Sequence, residues 1–138
     1  MVKIEIEHTG GLHSEAVHVQ SGSRLQTDAP LDNGGKGESF SPTDLVATAL
    51  GSCITTTMDL YAKRNGISID GTKASVIKHM SSQPVRRISK LEVAVELPLP
   101  GNDPHRAALE NAAQNCPVKK SLSAEMEIPI TFTWRDDL

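Results

Sequence analysis

The residues best suited to do chemistry in this chain are its two cysteines, Cys53 and Cys116. Cys53 lies deep in the run Ser41-Pro42-Thr43-Asp44-Leu45-Val46-Ala47-Thr48-Ala49-Leu50-Gly51-Ser52-Cys53, and Cys116 lies where a second helical run breaks, at Asn115-Cys116-Pro117-Val118. Free cysteines often do nothing but pack. Two thiols far apart in sequence, each on a helical element, read first as a redox couple. Metal ligation is the competing chemistry for such residues. There is no CxxC and no HxxxH, and His8, His13, His18, His79 and His105 are scattered, so neither a metal nor any other cofactor is expected. Gly34-Gly35-Lys36-Gly37 precedes a helix but lacks the spacing of a phosphate-binding loop.

The elements that must position the thiols are legible in outline. A chain of 138 residues is expected to form one domain, residues 1–138, with an aliphatic core. One Trp, one Tyr, two Phe and a net charge of −3 give neither stacking platforms nor a basic field, which argues against nucleic acid as a partner. Met1-Val2-Lys3-Ile4-Glu5-Ile6-Glu7 alternates apolar and charged residues, unlike a signal peptide, and no run reaches membrane-spanning length. The expected setting is the cytoplasm, with no membrane association, where a disulfide is usually transient and catalytic or sensing.

Val2, Ile4 and Ile6 predict a first strand, Thr9-Gly10-Gly11 a hairpin turn, and residues 14–19 and 24–27 two further strands. Residues 28–40 carry Pro30 and three glycines without periodicity, a loop long enough to suggest a functional role. Ser41 as N-cap, Pro42 at the first helical position and Asp44 in the first turn predict a helix over 42–65, stopping at Asn65-Gly66. Its apolar stripe is read as Val46, Ala49, Leu50, Cys53, Thr57, Leu60 and Tyr61, widened by Ala47, Ile54 and Met58, which turns Cys53 inward. Strands over 67–80 and 88–97 follow. Then comes a helix capped by Asn102-Asp103-Pro104 and stopped by Pro117, and a last alternating strand from Glu125 to Trp134 with Pro129 marking an edge. The order βββ-α-ββ-α-β predicts an α+β fold of antiparallel sheets with two helices, the first of them long.

The wording Ser41-Pro42-Thr43-Asp44-Leu45 through Ala49-Leu50-Gly51-Ser52-Cys53, followed by Asn115-Cys116-Pro117-Val118, resembles the OsmC/Ohr superfamily of thiol peroxidases, in its broad OsmC-like subgroup. Thr9-Gly10-Gly11, the glycine-rich loop at Gly34-Gly35-Lys36-Gly37 and the element order extend the resemblance over essentially the whole chain. It implies an OsmC-like fold with a long central helix, and an intertwined homodimer with active sites at the subunit interface. It also implies hydroperoxide reduction in oxidative-stress defence, through attack by Cys53, resolution by Cys116 as a Cys53–Cys116 disulfide, and reduction by an external dithiol. In such proteins a hairpin arginine and a glutamate just after the helix-opening proline activate the attacking thiol. Here the hairpin reads Gly10-Gly11-Leu12-His13 and the residue after Pro42 is Thr43, with Asp44 one further on. The ion pair is therefore not carried over, which leaves open a ligand-binding or structural relative with weak or no turnover.

Activation must then come from elsewhere. An unperturbed cysteine, with a pKa of about 8.5, is only slightly ionised at neutral pH. Cys53 lies too far along its helix to gain from the dipole. Candidate cations are Arg24, His13, His18 and Lys36, with Arg24 first because its charge is permanent and its donors are forked. Thr43 and Asp44 complete the candidate set. Cys116, read as the end of a helix, sits where the dipole opposes a thiolate, a setting that suits a resolving thiol. Leu45, Val46, Leu50 and Ile54 are expected to give the Cys53 region apolar walls suited to an alkyl hydroperoxide.

Overall fold

The computed structural model describes residues 1–137, and its contacts divide the chain into two compact units, Met1–Val46 and Ala47–Leu138. In the first unit β1 (Ile4–Gly10), β2 (His13–His18) and β3 (Arg24–Asp28) form an antiparallel sheet in that order. Its register pairs Ile4 with His18, Ile6 with Ala16, and Ala16 with Leu25. Directly opposed residues share a face, so Ile4, Ile6, Ala16 and Leu25 are the apolar part of one face, which also carries His8, Ser14, His18 and Thr27, while Glu5, Glu15, Val17, Arg24, His13 and Asp28 lie on the other. The apolar face is uncovered: Ile4, Ile6 and Leu25 are all exposed. The buried residues of this unit are the polar Asp28 and Ser41.

Residues 29–41 connect β3 to the long helix through a short 3₁₀ turn at Leu31–Asn33. Gly35 is obligatory there, because a Cβ would lie 1.6 Å from the Ala29 carbonyl oxygen. The helix α1 (Pro42–Arg64) opens as the sequence predicts. Ser41 Oγ accepts the Asp44 N–H at 3.1 Å and Asp44 Oδ2 accepts the Ser41 N–H at 2.9 Å, a reciprocal capping box. Gly66, at φ 68°, follows its C-terminus.

The second unit contains most of α1 and a mixed sheet in the order β4 (Lys73–Ser81), β5 (Arg87–Leu97), β6 (Ile130–Trp134). The helix buries Ala47, Leu50, Ile54, Met58 and Ala62, and Gly51 allows close approach to Val76 of β4, whose Cγ2 would be 3.1 Å from an added Cβ. Leu91, Val93, Val95 and Leu97 of β5 join Leu109, Ala113, Cys116 and Trp134 in the same core. The buried stripe of α1 thus runs along the Ala47, Leu50, Ile54 and Met58 side of the apolar face read in the sequence, not along its expected centre. Ala49 and Leu60 are exposed, and Cys53 and Thr57 are half-buried on its flank. Packing against β4 and β5 selects this side of the broad apolar face.

Three further expectations are corrected. β4 begins at Lys73, because the segment before it forms a turn in which Thr72 Oγ1 donates to the Ile69 carbonyl at 2.6 Å. β6 pairs with β5 in parallel, so the second sheet is not wholly antiparallel. Alternation does not encode strand direction; the helical connection after β5 is what a parallel crossover requires. That connection contains two helices, α2 (Arg106–Gln114) and α3 (Pro117–Ser121), where one was expected. No helix among the described residues is long and apolar enough to cross a membrane.

Candidate active site

Cys53 and Cys116 come together within the second unit. Cys53, midway along α1, is half-buried, with its Sγ 3.8 Å from Thr57 Oγ1 one turn on. Cys116 is fully buried. It is not the terminal residue of a helix as the sequence suggested. Asn115 caps α2, and Cys116, in extended backbone (φ −65°, ψ 144°), is the N-cap of α3, with Pro117 at the first helical position. Its Sγ accepts the Lys119 N–H at 3.4 Å. Pro117 therefore starts a helix as well as ending one, the role proline commonly takes at a first turn.

The Cys53 sulfur is close enough to act on the Cys116 thiol. Burial pushes the Cys116 thiol above its usual range, and the nearby Cys53 sulfur adds to the rise. The Lys119 N–H and ammonium oppose these effects without cancelling them. Cys116 is consequently held protonated at neutral pH in a dry site, next to a thiol that is closer to solvent. Such an arrangement can hold an oxidised Cys53 sulfur within reach of a waiting second thiol.

The remaining candidates are engaged within the first unit. Arg24 Nη1 pairs with Glu15 Oε1 at 2.6 Å across the sheet. His18 Nδ1 lies 2.7 Å from Ser21 Oγ in the β2–β3 turn. Lys36 contributes its backbone N–H to Asp28 Oδ2 at 3.2 Å, and its Nζ is 4.0 Å from Glu38 Oε1. Thr43 Oγ1 lies 3.2 Å from Ser41 Oγ, and Asp44 is occupied in the capping box. His13 stands beside Asp28 and Glu38. Leu50 and Ile54 are wholly buried in the core, so they do not line an open cavity as expected.

The sequence places Thr57 on the Cys53 stripe and Lys119 beside Cys116, but the contacts of the Thr57 hydroxyl and the Lys119 amide with the two sulfurs were not foreseen. Both had a signal: Thr57 is one helical turn from Cys53, and Lys119 is the third residue of a helix announced by Cys116-Pro117. With this geometry in view, the match to known proteins becomes specific. The OsmC-like protein family profile matches residues 35–131, which include both cysteines and the cap of α1. The chain belongs to the OsmC-like family. A candidate osmotic stress induced and detoxification response protein from Psychrobacter arcticus superposes with a TM-score of 0.90 at 38% identity, over 96% of each chain. An OsmC-like protein from Mycoplasma pneumoniae superposes at 0.81 and 17% identity, over 97% of this chain and 96% of its own. An organic hydroperoxide resistance protein from Elizabethkingia anophelis does so at 0.78 and 17%, over 98% and 96%. No curated protein sequence matches the chain. The low identities of the last two structures establish a shared OsmC-like fold.

Proposed function

We propose that this OsmC-like protein is a thiol-dependent hydroperoxide reductase of a single OsmC-like domain, acting as a homodimer. The observation that carries the reading is the pairing of a half-buried Cys53 with a fully buried, protonated Cys116. Cys53, as thiolate, attacks the distal peroxide oxygen; the O–O bond breaks, an alcohol leaves, and Cys53 becomes a sulfenic acid. Cys116 then attacks that sulfur, losing its proton as water departs and the Cys53–Cys116 disulfide forms. An external dithiol restores both thiols by exchange.

Homodimer formation is supported by the uncovered apolar face of β1 to β3. A three-stranded sheet that leaves Ile4, Ile6 and Leu25 in water has no core of its own, and a second copy would supply one. The alternative reading, a ligand-binding or structural relative with feeble turnover, is favoured by one observation: Arg24, the strongest candidate activator, already pairs with Glu15.

Single-turnover oxidation separates the two readings. Reduced wild-type protein given one equivalent of hydrogen peroxide, or of a bulky organic hydroperoxide, should lose two thiols per peroxide and gain no oxygen mass. Cys53→Ser should consume none, and Cys116→Ser should stop at a sulfenic acid that excess oxidant carries to the sulfinic acid. Intact thiols in wild-type protein after prolonged exposure would leave the binding or structural reading.

A further inference from the structure

The charged face of the first sheet contains a second constellation. His13 and Asp28 are cross-strand partners at the end of the β2–β3 ladder, so both project to the same side. His13 Nε2 lies 3.4 Å from Asp28 Oδ1 and 3.9 Å from Glu38 Oε2, and the three atoms all fall within 4.8 Å of one another. The Asp28 side chain is 0% exposed, yet its Oδ1 accepts no hydrogen bond. Its other oxygen is well served, by the N–H groups of Lys36 at 3.2 Å and Glu38 at 3.1 Å. A buried carboxylate oxygen without a donor is costly, and its presence calls for a partner. The imidazole is close to it but lacks hydrogen-bond geometry, and would pair with it ionically only when protonated.

We propose that His13 Nε2, Asp28 Oδ1 and Glu38 Oε2 form a binding site for a divalent transition-metal cation, with Zn²⁺ the representative ion. One imidazole and two carboxylates are a nitrogen-and-oxygen donor set that suits Zn²⁺ and its first-row neighbours, and three protein ligands leave a position for water. Ca²⁺ would require more oxygen ligands than the cluster offers. The outer contacts fit the same purpose. Two loop amides fix the orientation of the Asp28 carboxylate, and Lys36 stands 4.0 Å from Glu38 Oε1, leaving Oε2 turned toward His13. His13 and Glu38 remain partly open to solvent, which gives an ion a path inward. Bound there, it would tie the 28–40 loop to β2.

The test uses the full chain carrying Cys53→Ser and Cys116→Ser, so that no thiol can ligate, after tag removal and chelator treatment. Calorimetric titration with zinc chloride should give one ion per chain. His13→Ala and Glu38→Gln should each weaken binding by roughly a hundredfold or more, at or beyond the upper end of what loss of an outer-shell partner costs. Cobalt(II) at the same site should show weak d–d absorption with no thiolate charge-transfer band. Glu38→Gln alters a partly exposed side chain, so it keeps the test valid if His13→Ala fails to fold. Absence of zinc binding, unchanged affinity in Glu38→Gln, or a His13–Asp28 ion pair whose imidazole NMR signals zinc does not perturb would overturn the site.

Discussion

The sulfur of Cys116 accepts the backbone N–H of Lys119 at 3.4 Å, which makes this cysteine the cap of α3. Its neighbours therefore act in opposite directions. The Lys119 amide favours a thiolate, whereas burial, the stronger influence, and the Cys53 sulfur disfavour one. The balance is a raised thiol pKa, so the expectation of a reluctant Cys116 holds for a different reason than the helix-end dipole first invoked.

Selective alkylation follows from that balance. With iodoacetamide at neutral pH, Cys53 should be modified well before Cys116, because it is half-buried while Cys116 is both inaccessible and protonated. Raising the pH should quicken Cys116 labelling only above the usual thiol range. Peptide mapping after timed quenching reads both rates, and equal labelling of the two at neutral pH would contradict the assignment.

The cap of α1 should behave as a local stabiliser. Asp44→Ala removes the acceptor for the Ser41 N–H and a negative charge from the helix start, and should cost about 1 kcal/mol. Chemical denaturation measures this directly. A stability equal to wild type would show that the reciprocal pair contributes nothing.

What could be read from the residues and what could not divide along physical lines. Ser41, Pro42, Asp44 and Gly66 act through local backbone hydrogen bonding, so the bounds of α1 were legible to within a residue. Which side of its broad apolar face is buried was not, because that depends on packing against the sheet, where Gly51 lets α1 approach Val76. The direction of β6 depends on the α2–α3 crossover, a non-local property. The two cysteines stood out by type and setting. The His13–Asp28 meeting was hidden, since it depends on the β2–β3 register and on loop amides, neither of which leaves a spacing motif.

On the outer face of the second sheet, Lys90 Nζ lies 2.9 Å from Glu92 Oε1, and His79 Nε2 lies 3.5 Å from Glu92 Oε2. The hydrogen bond from Lys90, ahead of the nearby His79 imidazole, lowers the Glu92 pKa, and the same bond raises that of Lys90. A lowered carboxylate pKa adds stability above its unfolded value, which disappears as pH falls through the folded one. A raised lysine pKa adds stability below its unfolded value, which disappears as pH rises through the folded one. The stability advantage of wild type over Glu92→Gln should therefore be widest between the carboxylate and lysine ranges and shrink on both sides. Thermal melts across pH test the shape, and an advantage that grew on acidification would contradict it.

The strongest test of the assembly is Ile6→Glu. Ile6 is 65% exposed in the single chain, and on an exposed strand facing water a charged replacement should change stability by no more than about 0.5 kcal/mol. Its face also carries Ile4, Ala16 and Leu25, with no buried side chain beneath them in their own unit. If a second copy covers this face, as proposed, Ile6→Glu must bury an unpaired carboxylate at the contact, which is strongly unfavourable. Sedimentation equilibrium should then show a wild-type dimer at micromolar concentration and a variant shifted toward monomer, with a lower and concentration-dependent Tm. Because an uncovered β1–β3 sheet lacks a core, the variant should also lose amide-exchange protection in β1 first. A monomeric, stably folded wild-type protein, or a variant indistinguishable from it in both measurements, would show that this face meets solvent and no second copy.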